Sequence, residues 1–115
     1  MIRDPYGADL VAWGKAIALT TRGRVTGRAV VAVVGFLEEP DGSLLVAAGS
    51  PSANWSANLL ADPTCEVRLG EVVTRRVADE LAGADRSRTV VELILKYGTP
   101  AESLGAGPAF RLRPG

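Results

Sequence analysis

The apolar positions of the chain fall into short runs separated by glycine, proline and charge, and their spacing predicts the elements. Leu10, Val11, Trp13 and Ile17 recur at near-helical intervals, and Asp4-Pro5 fits a helix start with proline in its first turn. Gly14 closes that helix, with Trp13 as a core plug. Over Ala16–Thr21, Ile17 and Leu19 alternate with Thr20, the period of a strand. Arg28–Leu37 is nearly continuous valine with Gly35 and Phe36 near its end, as expected of a strand buried on both faces in the middle of a barrel. Pro40-Asp41-Gly42 is a turn by its own chemistry: proline fixes φ, aspartate bonds locally and glycine accepts φ > 0. Ser43–Ala48 returns, so Arg28–Ala48 predicts a hairpin.

Further on, the small residues of Gly49–Ala53 lead into a helix over Asn54–Ala61, capped by Ser52 or Asn54 and stopped by Asp62-Pro63. Asn54 and Asn58 are four apart, as are Trp55 and Leu59, which predicts a polar face and a packed face. Thr64–Leu69, with Cys65, Val67 and Leu69 inward, turns at Gly70-Glu71 into Val72–Asp79. Asp85 then caps a helix over Arg86–Tyr97 with Val90, Val91, Ile94 and Leu95 as its apolar stripe, ended by Gly98 and Pro100. A crossing over Thr99–Gly107 precedes a last strand, Pro108–Leu112. This order predicts a mainly β (α+β) fold: a small six-stranded barrel, mostly antiparallel, with helices packed outside. Periodicity alone leaves an α+β sandwich open. A chain of 115 residues is expected to form one domain, 1–115, burying about two-thirds of its unfolded surface.

Charge and composition narrow the function. Thirteen basic and thirteen acidic side chains cancel, which argues against a nucleic-acid binder. No apolar run reaches membrane-spanning length and Met1–Pro5 lacks a signal core, so a cytoplasmic protein is expected. Cys65 stands alone, which excludes a disulfide framework and a cysteine metal cluster. Histidine is absent, so no serine–histidine or cysteine–histidine triad can be built and a metal site is not expected. Any chemistry would then be carried by a cofactor, with the protein supplying orientation and electrostatics.

The candidate for binding it is Leu19–Val31, where Arg22, Arg24 and Arg28 sit among Gly23, Gly27, Thr20, Thr21 and Thr26. Glycine-rich turns present backbone N–H groups that can cradle an anion, and guanidinium forks suit phosphate or carboxylate. The alternative is a plain hairpin connection with solvated arginines.

The run Leu19-Thr20-Thr21-Arg22-Gly23-Arg24-Val25-Thr26-Gly27 resembles the L-T-T-x-G-R-x-[ST]-G signature of the deazaflavin-dependent nitroreductase family. Trp55-Ser56-Ala57-Asn58-Leu59-Leu60-Ala61-Asp62-Pro63 is similar to its W-x-x-N-L-x-A-x-P helix, and Pro108–Leu112 to its closing strand. The resemblance implies a split β-barrel that binds coenzyme F-420 and passes a hydride to an activated alkene, enone or nitro group. It places Gly23, Arg24, Thr26 and Gly27 around the coenzyme's phosphate arm, where Arg22 and Arg28, outside the usual pattern, are expected to add charge; it places Trp55 and Asn58 at the wall near the ring, and Tyr97 as the remaining tyrosine of a tyrosine-rich segment, the candidate for proton transfer. The chain departs from the family at Val25, where lysine is usual, at Val30, where arginine is usual, and at Gly35, where a tyrosine often faces the ring. FMN or no cofactor are the alternatives, the latter a non-redox pocket protein on the same barrel. The expected partner is a small-molecule substrate, and pairing of two copies as a homodimer stays open.

Overall fold

In the computed structural model, residues 14–49, 53–98 and 107–114 are described. The proposed first helix, Trp13, Ser52 and most of the Thr99–Gly107 crossing lie outside them. The strands are β1 (Ile17–Arg22), β2 (Ala29–Val34), β3 (Leu37–Glu38), β4 (Leu44–Ala47), β5 (Thr64–Leu69), β6 (Val72–Leu81) and β7 (Ala109–Pro114). Two helices, α1 (Asn54–Ala61) and α2 (Gly83–Tyr97), accompany them. All neighbours are antiparallel in one curled sheet ordered β2-β1-β5-β6-β7-β4-β3.

The sheet is mainly β and antiparallel with flanking helices, as expected, but it has seven strands rather than six. The valine run breaks at Gly35-Phe36, and its first half pairs with β1 rather than with Ser43–Ala48. Only Leu37↔Leu45 and Glu38↔Leu44 remain of the expected long hairpin. Its turn is nevertheless built as predicted: Gly42 has φ +89° and the Ser43 N–H donates to the Asp41 carboxylate at 2.9 Å. β2 is an edge strand, alternating exposed and half-buried, not a central one. The continuous valine string conceals this, because both sheet faces favour β-branched residues.

Curling brings Ile17 and Leu19 of β1, Leu44 and Val46 of β4, Val67 of β5, and Phe110 and Leu112 of β7 into one inner core. α1 closes it with Trp55 and Leu59; the Trp55 and Phe110 rings are 6.0 Å apart at 59°. On the outer face α2 covers Leu45, Ala47, Ala109 and Leu81 with Val90 and Leu93. Its buried face is Thr89, Val90 and Leu93, whereas Val91 and Leu95 of the predicted stripe are 54% and 80% exposed. The stripe was displaced because Val90, Leu93, Ile94 and Tyr97 share a face at three- and four-residue spacing, and that face meets the sheet. The helix begins at Gly83, without a side-chain cap, and Asp85 sits in its first turn beside Arg88 at 3.8 Å. α1 likewise starts from Ala53 with no side-chain cap bond, and Asn58 turns inward while Asn54 stays exposed. The Gly98 N–H closes α2 onto the Ile94 carbonyl at 2.7 Å. Among the described residues no helix is long and apolar enough to cross a membrane.

Candidate functional site

The arginine loop is the β1–β2 connection, and it is internally bonded. The Gly23 N–H donates to the Arg28 carbonyl and the Gly27 N–H to the Gly23 carbonyl, each at 2.8 Å. The Arg28 N–H reaches the Thr26 hydroxyl at 3.3 Å. Gly27 is held at φ +75°, a region L side chains avoid. A Cβ on Gly23 would sit 3.0 Å from the Arg28 carbonyl oxygen, so that position needs glycine for close approach. The N–H groups of Gly23, Arg24, Gly27 and Arg28 are thus engaged within the protein, and the loop is not the open nest of free amides that its glycines suggested.

Asn58 ties this loop to the core. Its side-chain oxygen accepts from the Arg24 backbone N–H at 3.2 Å and from the Arg24 guanidinium at 2.8 Å, and its amide donates to the Thr21 hydroxyl at 3.0 Å. Asn58 and Thr21 are 1% and 2% exposed, so each needs these partners. The helix motif and the loop motif, 34 residues apart, therefore meet in one network anchored on buried Asn58 and Thr21. Trp55 belongs to the inner core rather than to an open wall.

Beside the loop, on the convex face of β1, β5 and β6, lies a cleft of about 620 Å³. Thr20, Arg22, Thr64, Glu66, Arg75 and Val77 line it, together with Gly27 and Ala29 of the loop and β2 and with Thr21, Cys65 and Arg76. Register explains the grouping: Thr20 pairs with Glu66 and Glu66 with Arg75, one row of outward residues, while Thr21, Cys65 and Arg76 form the inward row. Its volume falls within the range of small-molecule sites. Sequence reasoning missed Arg75, Glu66 and Thr64. Their alternation with inward Cys65 and Val67 marked them as outward, but nothing local tells that β5 lies beside β1. Just outside, the Thr64 hydroxyl and N–H, helped by the charge of Arg22, hold the Asp62 carboxyl below its usual range. Burial pushes the Cys65 thiol up to about 11, which makes it an inert hydrophobe at neutral pH.

Tyr97 lies elsewhere. Its hydroxyl donates to the Lys15 carbonyl at 2.7 Å and accepts from the Phe36 N–H at 3.0 Å, while Lys96 Nζ donates to the Phe36 carbonyl at 2.6 Å. The ammonium also stands 4.0 Å from the Phe36 ring centre. These bonds satisfy the backbone at the β2–β3 break, and they explain Gly35: a Cβ there would come within 2.7 Å of the Tyr97 ring. Lys15 and Arg22 are separated by about 23 Å at about 3.3 Å per residue, so Tyr97 and the arginine loop occupy opposite ends of β1. Among the described residues no group of three histidine, cysteine, aspartate or glutamate side chains could hold a metal.

Comparison with known proteins places this geometry in a family. A solved structure of an F420-H2 dependent reductase (FDR-A) superposes with a TM-score of 0.73 at 27% identity, covering 86% of this chain and 94% of that one. A protein solved as a domain-swapped dimer matches with a TM-score of 0.71 at 24% identity over 94% of both chains. The heme storage protein HutZ from Vibrio cholerae shares the fold, with a TM-score of 0.72 at 19% identity, over the whole of this chain and 92% of that one. No curated protein matches the sequence significantly. The split-barrel likeness and both motifs, joined through Arg24, Asn58 and Thr21, agree with a family model that matches residues 6–100, and the chain belongs to that family, the F420H(2)-dependent quinone reductases.

Proposed function

We propose that the protein is a reductase that transfers a hydride from reduced coenzyme F-420 to a small activated acceptor: a quinone, an enone or alkene, or a nitro compound. The observation that carries this reading is the family match over residues 6–100 together with the Arg24–Asn58–Thr21 network joining its two motifs. When bound, the coenzyme supplies the hydride. The residues present suit an anionic cofactor, since Arg22 and Arg75 face the cleft beside the loop without an acceptor among the described residues. Gly27 leaves that rim bare of side chain, and Arg24 and Asn58 fix the loop's shape. Thr26 and Arg28 stand exposed on the same loop, within reach of a ligand's phosphate arm. Trp55 supports the wall from within the core, and Tyr97 acts on the scaffold through Phe36 and Lys15 rather than by proton transfer. Assembly as a homodimer is part of the reading; Val31 and Val33 on the β2 edge strand, 63% and 45% exposed, are apolar surface that a second copy would cover.

Titration with oxidised and reduced coenzyme, followed by visible absorbance, tests the assignment. Binding of the reduced form, and its oxidation when a quinone, an enone or a nitroaromatic is added, are the expected results. A protein that binds neither redox form is not a reductase of this kind.

A further inference from the structure

Ten arginines lie among the described residues, and most are committed to the fold. Arg24 bonds Asn58, Arg76 bonds the Gly42 and Leu112 carbonyls, and Arg86 bonds the Gly107 carbonyl. Arg68 reaches the Gly70 carbonyl, and Arg88, Arg111 and Arg113 pair with Asp85, Glu39 and Asp79. The side chains of Arg22, Arg28 and Arg75 have no hydrogen bond or ion pair among the described residues. Two of these three, from different strands, line the same cleft.

Their placement is fixed by register. Arg22 follows Thr20 on the outward face of β1, and Thr20 shares a row with Glu66 and Arg75. Two strand spacings and a two-residue offset put the Arg22 and Arg75 Cα atoms about 12 Å apart, on the same face of the sheet. Long guanidinium arms from the two sides can then close on one ligand between them. Thr20 adds a hydroxyl, and Arg22 and Arg75 share the cleft with the single carboxylate of Glu66. Asp62, just outside, is occupied by Thr64.

We propose that Arg22 and Arg75 form a two-sided guanidinium clamp for a phosphate- or carboxylate-bearing ligand in this cleft, and that Glu66 limits how much negative charge it accepts. Identifying that ligand with the anionic arm of the deazaflavin coenzyme rests on the function proposed above. The clamp itself rests on the cleft. It moves anion recognition from the loop's backbone, where the amides of Gly23, Arg24, Gly27 and Arg28 are engaged, to side chains on β1 and β6.

Calorimetric titrations with inorganic pyrophosphate and, separately, oxidised coenzyme F-420 test it on the intact protein and on Arg22→Ala, Arg75→Ala, Glu66→Gln and Arg88→Ala. Arg22 and Arg75 are exposed and unbonded, so their variants should fold as the parent does. Each should bind both probes about 10- to 100-fold more weakly, the loss expected for one charged hydrogen-bonding group. Glu66→Gln should bind them more tightly, while Arg88→Ala, which removes an equal charge from α2, should leave both affinities unchanged. Parent-like affinity in Arg22→Ala and Arg75→Ala overturns the clamp and leaves the reductase assignment standing if the coenzyme still binds. Pyrophosphate binding with the predicted pattern, but no coenzyme binding, supports the clamp and overturns the reductase assignment. Binding of neither probe to the parent overturns both.

Discussion

Gly35→Ala is a one-carbon change whose cost can be worked from the structure. The added Cβ would lie 2.7 and 2.9 Å from two Tyr97 ring carbons, well inside contact distance. The ring cannot swing aside freely, because its hydroxyl is bonded on one side to Lys15 and on the other to Phe36. Overpacking of this kind costs about 1–3 kcal/mol, and each hydrogen bond surrendered to relieve it adds about 0.5–1.5 kcal/mol. A destabilisation of about 2–4 kcal/mol follows. The same substitution in a Tyr97→Ala background is freed of its three closest contacts, all of them ring carbons of Tyr97. Gly35 does not have positive φ. Alanine there should be neutral or stabilise by up to about 1 kcal/mol through the unfolded state. Urea unfolding of the four proteins of this double-mutant cycle should therefore give a coupling of at least about 2 kcal/mol between the two positions. Additive effects would refute the claim that Gly35 is glycine to admit Tyr97.

Asn58→Ala should cost about 2–3 kcal/mol by leaving the Arg24 N–H and the Thr21 hydroxyl without their partner, and Arg24→Ala about 1 kcal/mol; parent-like melting of both would remove the network from the stability account. Trp55→Ala should cost about 3–5 kcal/mol by denaturant unfolding, since the ring fills the core against Phe110; a stable variant that loses only ligand affinity would make Trp55 a site residue instead. Burial raises the Cys65 thiol to about 11 from its ordinary value of 9.0, so its ionisation works against the fold only above about pH 9. Stability should hold below about pH 9 and fall by up to about 2–3 kcal/mol as pH rises toward 11, because only the unfolded chain ionises there. Cys65→Ala should flatten that slope, and an unchanged slope would show that the thiol is not its source.

Much of the scaffold was legible because its signals are local. Asp62-Pro63 ends α1 where expected, Gly70-Glu71 turns β5 into β6, and Pro40-Asp41-Gly42 reverses the chain. The valine run misled because its break depends on Tyr97, whose ring fills the space at Gly35 and whose hydroxyl bonds the backbone of Phe36, 61 residues away. Asn58 was expected on a polar face with Asn54, but it is buried with Trp55 and Leu59 while Asn54 is exposed. The arginine loop was visible as a cluster, yet local sequence could not tell which guanidinium is spent on the protein. That depends on Asn58 for Arg24 and on Asp79 for Arg113, partners at 34 residues' remove. Arg75 was invisible for the same reason: it joins the cleft only because β5 bridges β1 and β6.

The sheet order also dictates the sequence of assembly. β7 comes last along the chain among the seven strands, yet it lies between β6 and β4. The ribbon β2-β1-β5-β6 can form as soon as β6 has been synthesised, and the β3–β4 hairpin can form alone. The two cannot be joined until Ala109–Pro114 is available to pair with both. Until then Phe110 and Leu112 are missing from the middle of the core, and the facing flanks of β6 and β4 present unpaired backbone. Completion of the sheet is therefore a late, non-local event in folding, and the six residues of β7 act as its keystone.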